Sequence, residues 1–570
     1  MSISRVAVVG AGLLGLAAAR EITERLPDAE VTVFDKADAV AAHQSGHTSG
    51  IVDSGLEQIP DSEAAKLARR GVEKLVPYMA ENGVPYRECG QLLIAQNTDE
   101  AERLEELFTR AEDNEVPGAR LLERHEIAAV EPAARGVLGL FAPHAAVADF
   151  AALTEALAVD VRAAGGTIRL STEVTDFDVM SNEVRLRGRA VEPGAQNERG
   201  AAADAGGAAD PRTADSGDAD EGGRAGAPSD SRTSSDSDTS GESDIDDQVY
   251  DRPRTYRGGE GREPVIGIGD ELRDRFGGQD WFKQAESTIG DWADRLSSSW
   301  SRGSGTHGSG RGSDTQGSGR ARDGEANGHS DASAEEVLGA FDIVIVCAGL
   351  QADRLAAAAG LDEQPRIVPF TCDYYQAPPS GSTNPSNTEQ SPGTGQAPGS
   401  AEVRGIIGSV PDPAAPFAET SIIRGLGDSL ILGPNTFVAL GRESYARRGF
   451  DLGDIGSTAR FKGFWRFAAQ TAKTAAKGVK TVVSKSAFVD EVRKLVPGLD
   501  AEAVSPGPRG VRAQAMNDDG ELVDDLTVTR RGRLTVVRAV PKWGATSALA
   551  IAEAIVDRAL DGGPTGARGR

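Results

Sequence analysis

The chain has 570 residues and a formal charge of −26, with 87 acidic side chains against 61 basic ones. Such an acid excess excludes a general nucleic-acid binder, which needs a basic footprint. The length exceeds what one hydrophobic core serves, so at least two domains are expected. Dense carboxylates with few lysines suit a protein hydrated in high salt, and a halophilic setting is the expectation. Cys89, Cys347 and Cys372 are odd in number and lack CxxC spacing, so neither a disulfide framework nor a zinc site follows, and no metal is expected. No apolar run reaches the roughly 18 residues that span a bilayer. The first apolar run lacks the flanks of a signal peptide, which makes cytoplasm the expected location.

Val6–Val9 reads as a buried strand that runs into Gly10-x-Gly12-x-x-Gly15 and then into helix-forming Leu16–Arg20. A second strand, Glu30–Phe34, ends on Asp35. Strand, glycine turn, helix, strand and acid in this order form a dinucleotide-binding pattern. Gly10 allows the tight turn, Gly12 lets backbone approach a pyrophosphate, and Gly15 lets helix pack on strand. The helix start, with Leu13 and Leu14, offers N–H groups to phosphate. Asp35, followed by Lys36, is placed to accept hydrogen bonds from a ribose. The pattern alone does not separate FAD from NAD.

His43-Gln-Ser-Gly-His-Thr-Ser-Gly50 follows. This loop resembles the second motif of the D-amino-acid-oxidase-like FAD oxidoreductases and is most similar to their L-2-hydroxyglutarate oxidase/dehydrogenase branch. The resemblance implies FAD, with His43, Ser45, Gly46 and His47 beside it. Residues 64–81 and 98–114 read as amphipathic helices, Tyr86–Ala95 as strand, and Leu122–Pro132 as a short helix stopped by Pro132. A helix over 150–164 and a strand over 167–174 come next. In the resembled family the backbone matching Val174 meets the adenine. From about 187 to 337 aliphatic periodicity disappears, and the Gly-Ser-Asp composition reads as a disordered insert. Within it Trp281–Trp300 carries apolar residues near helical spacing, a candidate docking segment.

Phe341–Leu350 reads as a central parallel strand, so the insert interrupts one sheet and does not link independent domains. By resemblance this strand brings Ala348 and Gly349 to the FAD. Pro369–Tyr375 returns to a substrate domain, and 377–402 reads as a second disordered insert. Gly/Pro-punctuated segments from Pro411 to Tyr445 resemble the strands of the family's sheet floor. Between Arg460 and Lys485 seven cations (Arg460, Lys462, Arg466, Lys473, Lys477, Lys480, Lys485) occur without an acid, with Phe461, Phe464, Trp465 and Phe467 among them. A basic helix with an aromatic edge is the pattern of an interfacial anchor on anionic lipid. Arg509-Gly-Val-Arg-Ala-Gln514 and Gly520–Asp525 match further family motifs. Gly544-Ala-Thr-Ser-Ala548 reads as a Gly-led loop opening a helix over 549–560. The resemblance places Gly544, Ala545 and Thr546 where charge develops on a reduced flavin.

The fold expected is α/β plus α+β. A discontinuous Rossmann-like FAD-binding domain takes 1–75, 150–186, 338–360 and 505–562. A mixed-sheet substrate domain takes 76–149, 361–376 and 403–504, with disordered inserts at 187–337 and 377–402. The function the resemblance implies is oxidation of a small 2-hydroxy acid by hydride transfer to FAD. That chemistry needs a carboxylate holder and a base. Arg512, fixed and bidentate, is the candidate holder with Gln514 assisting, and His47 or Asp53 is the candidate base. The substrate half departs from the branch. Asp53 stands for its histidine, Glu57 and Gln58 for tyrosines, Thr371 for an arginine, Ser421 for a histidine, and Pro541-Lys-Trp-Gly544 for a Ser-Pro-Ala type loop. An amine or amino-acid oxidase of the same superfamily therefore stays open, as does a flavin-binding protein without turnover. Oxygen or a quinone is the expected electron acceptor, with anionic membrane a candidate peripheral contact and no nucleic acid.

Overall fold

The computed structural model describes residues 3–192, 335–378, 403–446 and 449–561; in the helix Lys462–Val483 the side chains of 472–480, 482 and 483 are not described. The chain divides into two compact units, residues 1–204 with 266–570, and residues 205–265. All described residues belong to the first. The segment Trp281–Trp300 and the bodies of both inserts lie outside the described residues.

Strand β1 (Arg5–Val9), helix α1 (Leu13–Arg25) and strand β2 (Glu30–Phe34) form as the sequence pattern requires. β1 lies between β2 and Ile343–Val346, parallel to both, with Val9 opposite Phe34 and Val346. The sheet has six strands in the order Thr527–Arg531, Leu534–Ala539, Ile343–Val346, β1, β2, Thr167–Arg169, and only the first pair is antiparallel. Its central strands are continuous apolar runs because both faces are covered. Val8, Val33 and Ile345 pack on one face against α1 and the helices Phe150–Ala163 and Ala548–Leu560. Ala7, Phe34, Val344 and Val346 pack on the other against the antiparallel sheet Thr172–Val179, Val184–Ala190, Glu336–Phe341. Each of these valine, isoleucine and phenylalanine side chains contributes about 1.5–3 kcal/mol through burial.

The second large sheet has nine strands. Arg366–Ala377 lies between Leu430–Val438 and Ser505–Met516, and Ile406–Ser409 runs parallel to Gln91–Ala95 in an otherwise antiparallel array. Phe370 pairs with Arg512 and Val368 with Gln514. These registers set the substrate-side candidates on a rigid floor.

Strand boundaries sharpen the expected insert limits. Val184–Ala190 runs four residues past 186 and pairs with a strand that already starts at Glu336. Arg366–Ala377 likewise runs one residue into the second expected insert. The expected aromatic edge at 461–467 is corrected as well. Phe461 and Phe467 are buried with Val368, Phe370 and Met516, so they hold the helix Lys462–Val483 to the floor. Lys462 and Arg466 are exposed beside them.

Candidate functional site

The glycine turn has no room for side chains. A Cβ on Gly10 would stand 2.4 Å from the Cys347 carbonyl oxygen, and one on Gly15 would stand 1.9 Å from the Gly10 oxygen. Gly10 also has φ +111°, a left-handed conformation that favours glycine. α1 starts at Gly12 with no side-chain cap and no acid in its first turn. The Leu13 N–H donates to Ser45 Oγ at 2.8 Å, which ties the 43–50 loop to the helix start beside Leu14. Gly46 belongs to the same loop, where a Cβ would meet the Ala41 oxygen at 2.4 Å. The Asp35 carboxylate accepts from the Ala11 N–H (2.6 Å) and the Ala37 N–H (2.8 Å) and keeps lone pairs for further donors. Thr172 N–H donates to the Asp35 carbonyl, so the strand holding Val174 lies beside the acid. Gly349, next to Ala348, has φ +48°, and a Cβ there would stand 2.5 Å from Gln44 Oε1. Three chain segments, 10–15, 35–47 and 348–349, therefore meet at one strand edge.

A loop from the nine-stranded sheet closes on them. Glu443 accepts from Lys36 and from Gln351 (2.9 Å), and lies 3.9 Å from His43. Arg442 anchors this loop internally. It donates to both Asp353 oxygens and to the carbonyls of Leu350 (2.5 Å) and Ile367 (3.2 Å). Burial alone would raise the Asp353 carboxyl, yet Arg442 and two backbone N–H groups pull it below its ordinary value. Burial, then the Lys36 charge, pushes His43 down to about 4. Burial also lowers His47, with the backbone oxygens of Arg509 and Ala42 partly offsetting it. His47 stacks on Tyr445 at 4.3 Å, and its Nδ1 lies 3.1 Å from the Arg509 oxygen. Both imidazoles are thus kept neutral at physiological pH. The Tyr445 hydroxyl is buried without a hydrogen-bond partner.

The substrate-side candidates separate into two groups. His47 is held by Tyr445 and Arg509. Asp53 sits elsewhere: its N–H donates to Thr546 Oγ1 at 2.9 Å, and its carboxylate accepts from Gln58 at 3.3 Å. Burial and the charge of Glu57 push Asp53 up to about 6, against the Gln58 amide and Lys542. Lys542 donates to Glu57 at 2.5 Å and to the two Glu419 oxygens at 2.8 and 2.9 Å. Burial would lower Lys542, but the two carboxylates raise it above its ordinary range. Lys542 and Glu419 line a cavity of about 170 Å³ together with Arg512, Asp524 and Phe417. Arg512 lies over the Phe417 ring at 5.6 Å and 3.6 Å from Asp524. Gln514 donates to Asp524 at 3.2 Å, and its own Oε1 is buried without a partner.

The 541–547 loop differs from expectation in one respect. The N–H groups of Gly544 and Thr546 are taken by the Pro541 and Trp543 oxygens, while the helix starts at Ala548, one residue before the expected 549. Ala545 lies between them, and the indole N–H of Trp543 is buried without a partner. Sequence reading named Glu57 and Lys542 as departures and gave them no role. Glu419 carried no signal, because only the fold brings it to Lys542. The side-chain-free cradle, the uncapped helix start and the acid at the end of β2 fit the pyrophosphate and ribose of a dinucleotide.

The fold and the cradle fit a dinucleotide-dependent oxidoreductase; the enzyme is an FAD-dependent oxidoreductase, and the DAO model, described as FAD dependent oxidoreductase, matches residues 5–219. It is similar to the mitochondrial L-2-hydroxyglutarate dehydrogenases of Nematostella vectensis (26% identical over 98% of this chain and 90% of the relative) and Homo sapiens (25%, 97% and 88%). An Escherichia coli L-2-hydroxyglutarate dehydrogenase is 23% identical over 97% of this chain and 92% of its own. In fold it is similar to the FAD-bound L-α-glycerophosphate oxidase of Mycoplasma pneumoniae, with TM-score 0.56 and 14% identity over 98% of this chain and 95% of that one. Glycine oxidase from Geobacillus kaustophilus follows at TM-score 0.52 and 14% identity over 97% and 94%.

Proposed function

We propose that this oxidoreductase oxidises a small 2-hydroxy acid, in the manner of an L-2-hydroxyglutarate dehydrogenase. The observation that carries the reading is the convergence of a buried carboxylate, Asp53, with Thr546 and Lys542, next to a cavity that Lys542 shares with Arg512. FAD supplies the two-electron acceptor for the hydride leaving the substrate carbon. Arg512 holds the substrate carboxylate through charged hydrogen bonds, with Gln514 fixing Asp524 beside it. Asp53 takes the hydroxyl proton as the C–O bond becomes a carbonyl. Its raised carboxyl stays ionised at neutral pH while being a stronger base than an ordinary aspartate. The backbone around Gly10, Gly12, Leu13, Leu14 and Gly15, the Asp35 carboxylate, and the loop of His43, Ser45 and Gly46 bind the cofactor's phosphates and ribose. Lys36, His47, Val174, Ala348, Gly349 and the 544–546 loop complete its surroundings. Oxygen or a quinone takes the electrons onward.

An anaerobic panel tests the reading. L-2-Hydroxy acids should bleach the flavin of the purified protein, and R512M should raise KM about tenfold to a hundredfold, the worth of a charged hydrogen bond. A flavin reduced by dithionite but by no 2-hydroxy acid would sink the reading. The acid excess around Lys542 favours a second one, oxidation of an amine or amino acid. In that case the rate follows deprotonation of the substrate amine.

The proposal includes a cytoplasmic location with peripheral contact to anionic membrane through 460–485. Exposed Lys462, Arg466 and Lys485 support it, and Phe461 and Phe467 take no part. Among the described residues no helix is long and apolar enough to cross a membrane.

A further inference from the structure

The three ammonium hydrogens of Lys542 face three carboxylate oxygens, one on Glu57 and two on Glu419. Two negative charges stand against one positive, so the pair over-neutralises the lysine. In the same cavity Arg512 faces Asp524 at 3.6 Å, beyond hydrogen-bond length, and its guanidinium can take a carboxylate in two parallel bonds. Glu419 and Asp524 line the cavity with these two cations, and Glu57 reaches Lys542 from outside that lining. A first substrate carboxylate finds Arg512. Among the described residues lining the cavity, a second carboxylate would meet only Lys542, whose charge is already spent on Glu57 and Glu419.

We propose that Glu57, Glu419 and Lys542 form a tail-selecting element, and that the natural substrate carries one carboxylate, held by Arg512, and a cationic nitrogen at its opposite end, received by Glu57 and Glu419. The proposal rests on this cavity being the substrate site of the oxidoreductase proposed above. It places the departures from the dehydrogenase branch, Glu57 and Lys542, at the end of the substrate where a dicarboxylate carries its second charge. Like charges in a partly dry site repel strongly, whereas an ammonium bridging the two glutamates removes the excess.

Unreactive analogues on the flavin-loaded protein test this without turnover. Butyrate, glutarate and 4-aminobutyrate are titrated, with binding read from the perturbed flavin spectrum and by calorimetry. 4-Aminobutyrate should bind about tenfold more tightly than glutarate, with butyrate between them. In the E57Q/E419Q double variant that preference should vanish or reverse, because Lys542 is released to a second carboxylate. E419Q alone, which keeps Lys542 paired with Glu57, should shift the ratio part of the way and covers the case where the double variant fails to fold. Glutarate binding as tightly as 4-aminobutyrate overturns the proposal, and so does a ratio that neither variant changes or a protein that binds none of the three probes. Whether any 2-hydroxy acid bleaches the flavin is read separately. A binding preference without bleaching therefore faults the reaction and not the tail selection.

Discussion

Asp53 is 4% exposed, and burial together with Glu57 pushes its carboxyl up to about 6. Two consequences have opposite signs. As the proposed base it works only when ionised, so kcat/KM should rise through about pH 6 and level off above it. For the fold, the folded state binds this proton more tightly than the unfolded chain does. Stability from this group is therefore present below the ordinary aspartate range and is lost as pH climbs from about 4 through about 6, by roughly 3 kcal/mol. D53N should slow flavin reduction about 10²–10⁴-fold. Its urea midpoint should exceed that of the unmutated protein at pH 8 and match it near pH 4. A D53N enzyme that reduces its flavin at the original rate would remove Asp53 from the chemistry. The residue type at position 53 was readable from sequence. Its basicity was not, because burial and the nearness of Glu57 are properties of the packed chain.

At the scale of elements, helix limits were readable where a local signal marks them. The helix expected over 150–164 is Phe150–Ala163, opened by Asp149, whose side chain accepts from the Ala152 N–H. The loop of Arg442, Glu443 and Tyr445 is different. It was expected among the strands of the sheet floor, yet the strand Leu430–Val438 ends before it, and as a loop it clasps the helix Ala352–Ala358 through a buried Arg442–Asp353 pair and reaches Lys36 through Glu443. R442M leaves the Asp353 charge buried and unpaired, which should cost about 3–5 kcal/mol in chemical denaturation and loosen flavin retention. A loss under about 1 kcal/mol would show that the pair does not anchor the loop.

The whole molecule carries −26, and the 460–485 segment reverses that charge locally. Two of its aromatic rings belong to the core of the nine-stranded floor, so the proposed membrane contact rests chiefly on its cations, near 1 kcal/mol each at a surface. The protein should co-sediment with anionic vesicles at low salt, and release should follow as salt shortens the screening length. The triple variant K462E/R466E/K485E should abolish the contact. Co-sedimentation that persists in high salt, or none with anionic vesicles at low salt, would rule out this mode. On the same scale, Val9 and Val346 are adjacent strand partners although 337–349 lies far along the chain from β1. The long stretch between Ala190 and Glu336 interrupts one sheet, as apolar runs alone could indicate.

The sequence by itself determined the dinucleotide half. A left-handed turn, two close backbone approaches and an acid at a strand end each demand particular residue types at short, fixed spacing, so Gly10, Gly12, Gly15 and Asp35 announce their geometry. Only the tertiary structure brought the candidate substrate half together. Glu57, Glu419 and Lys542 come from three distant segments, and none has a spacing that marks it. Their shared charge balance exists only after the nine-stranded floor sets Arg512 beside the loop that carries Lys542. Long-range electrostatics depends on which side chains packing brings within a few ångströms, and that is information no local pattern contains.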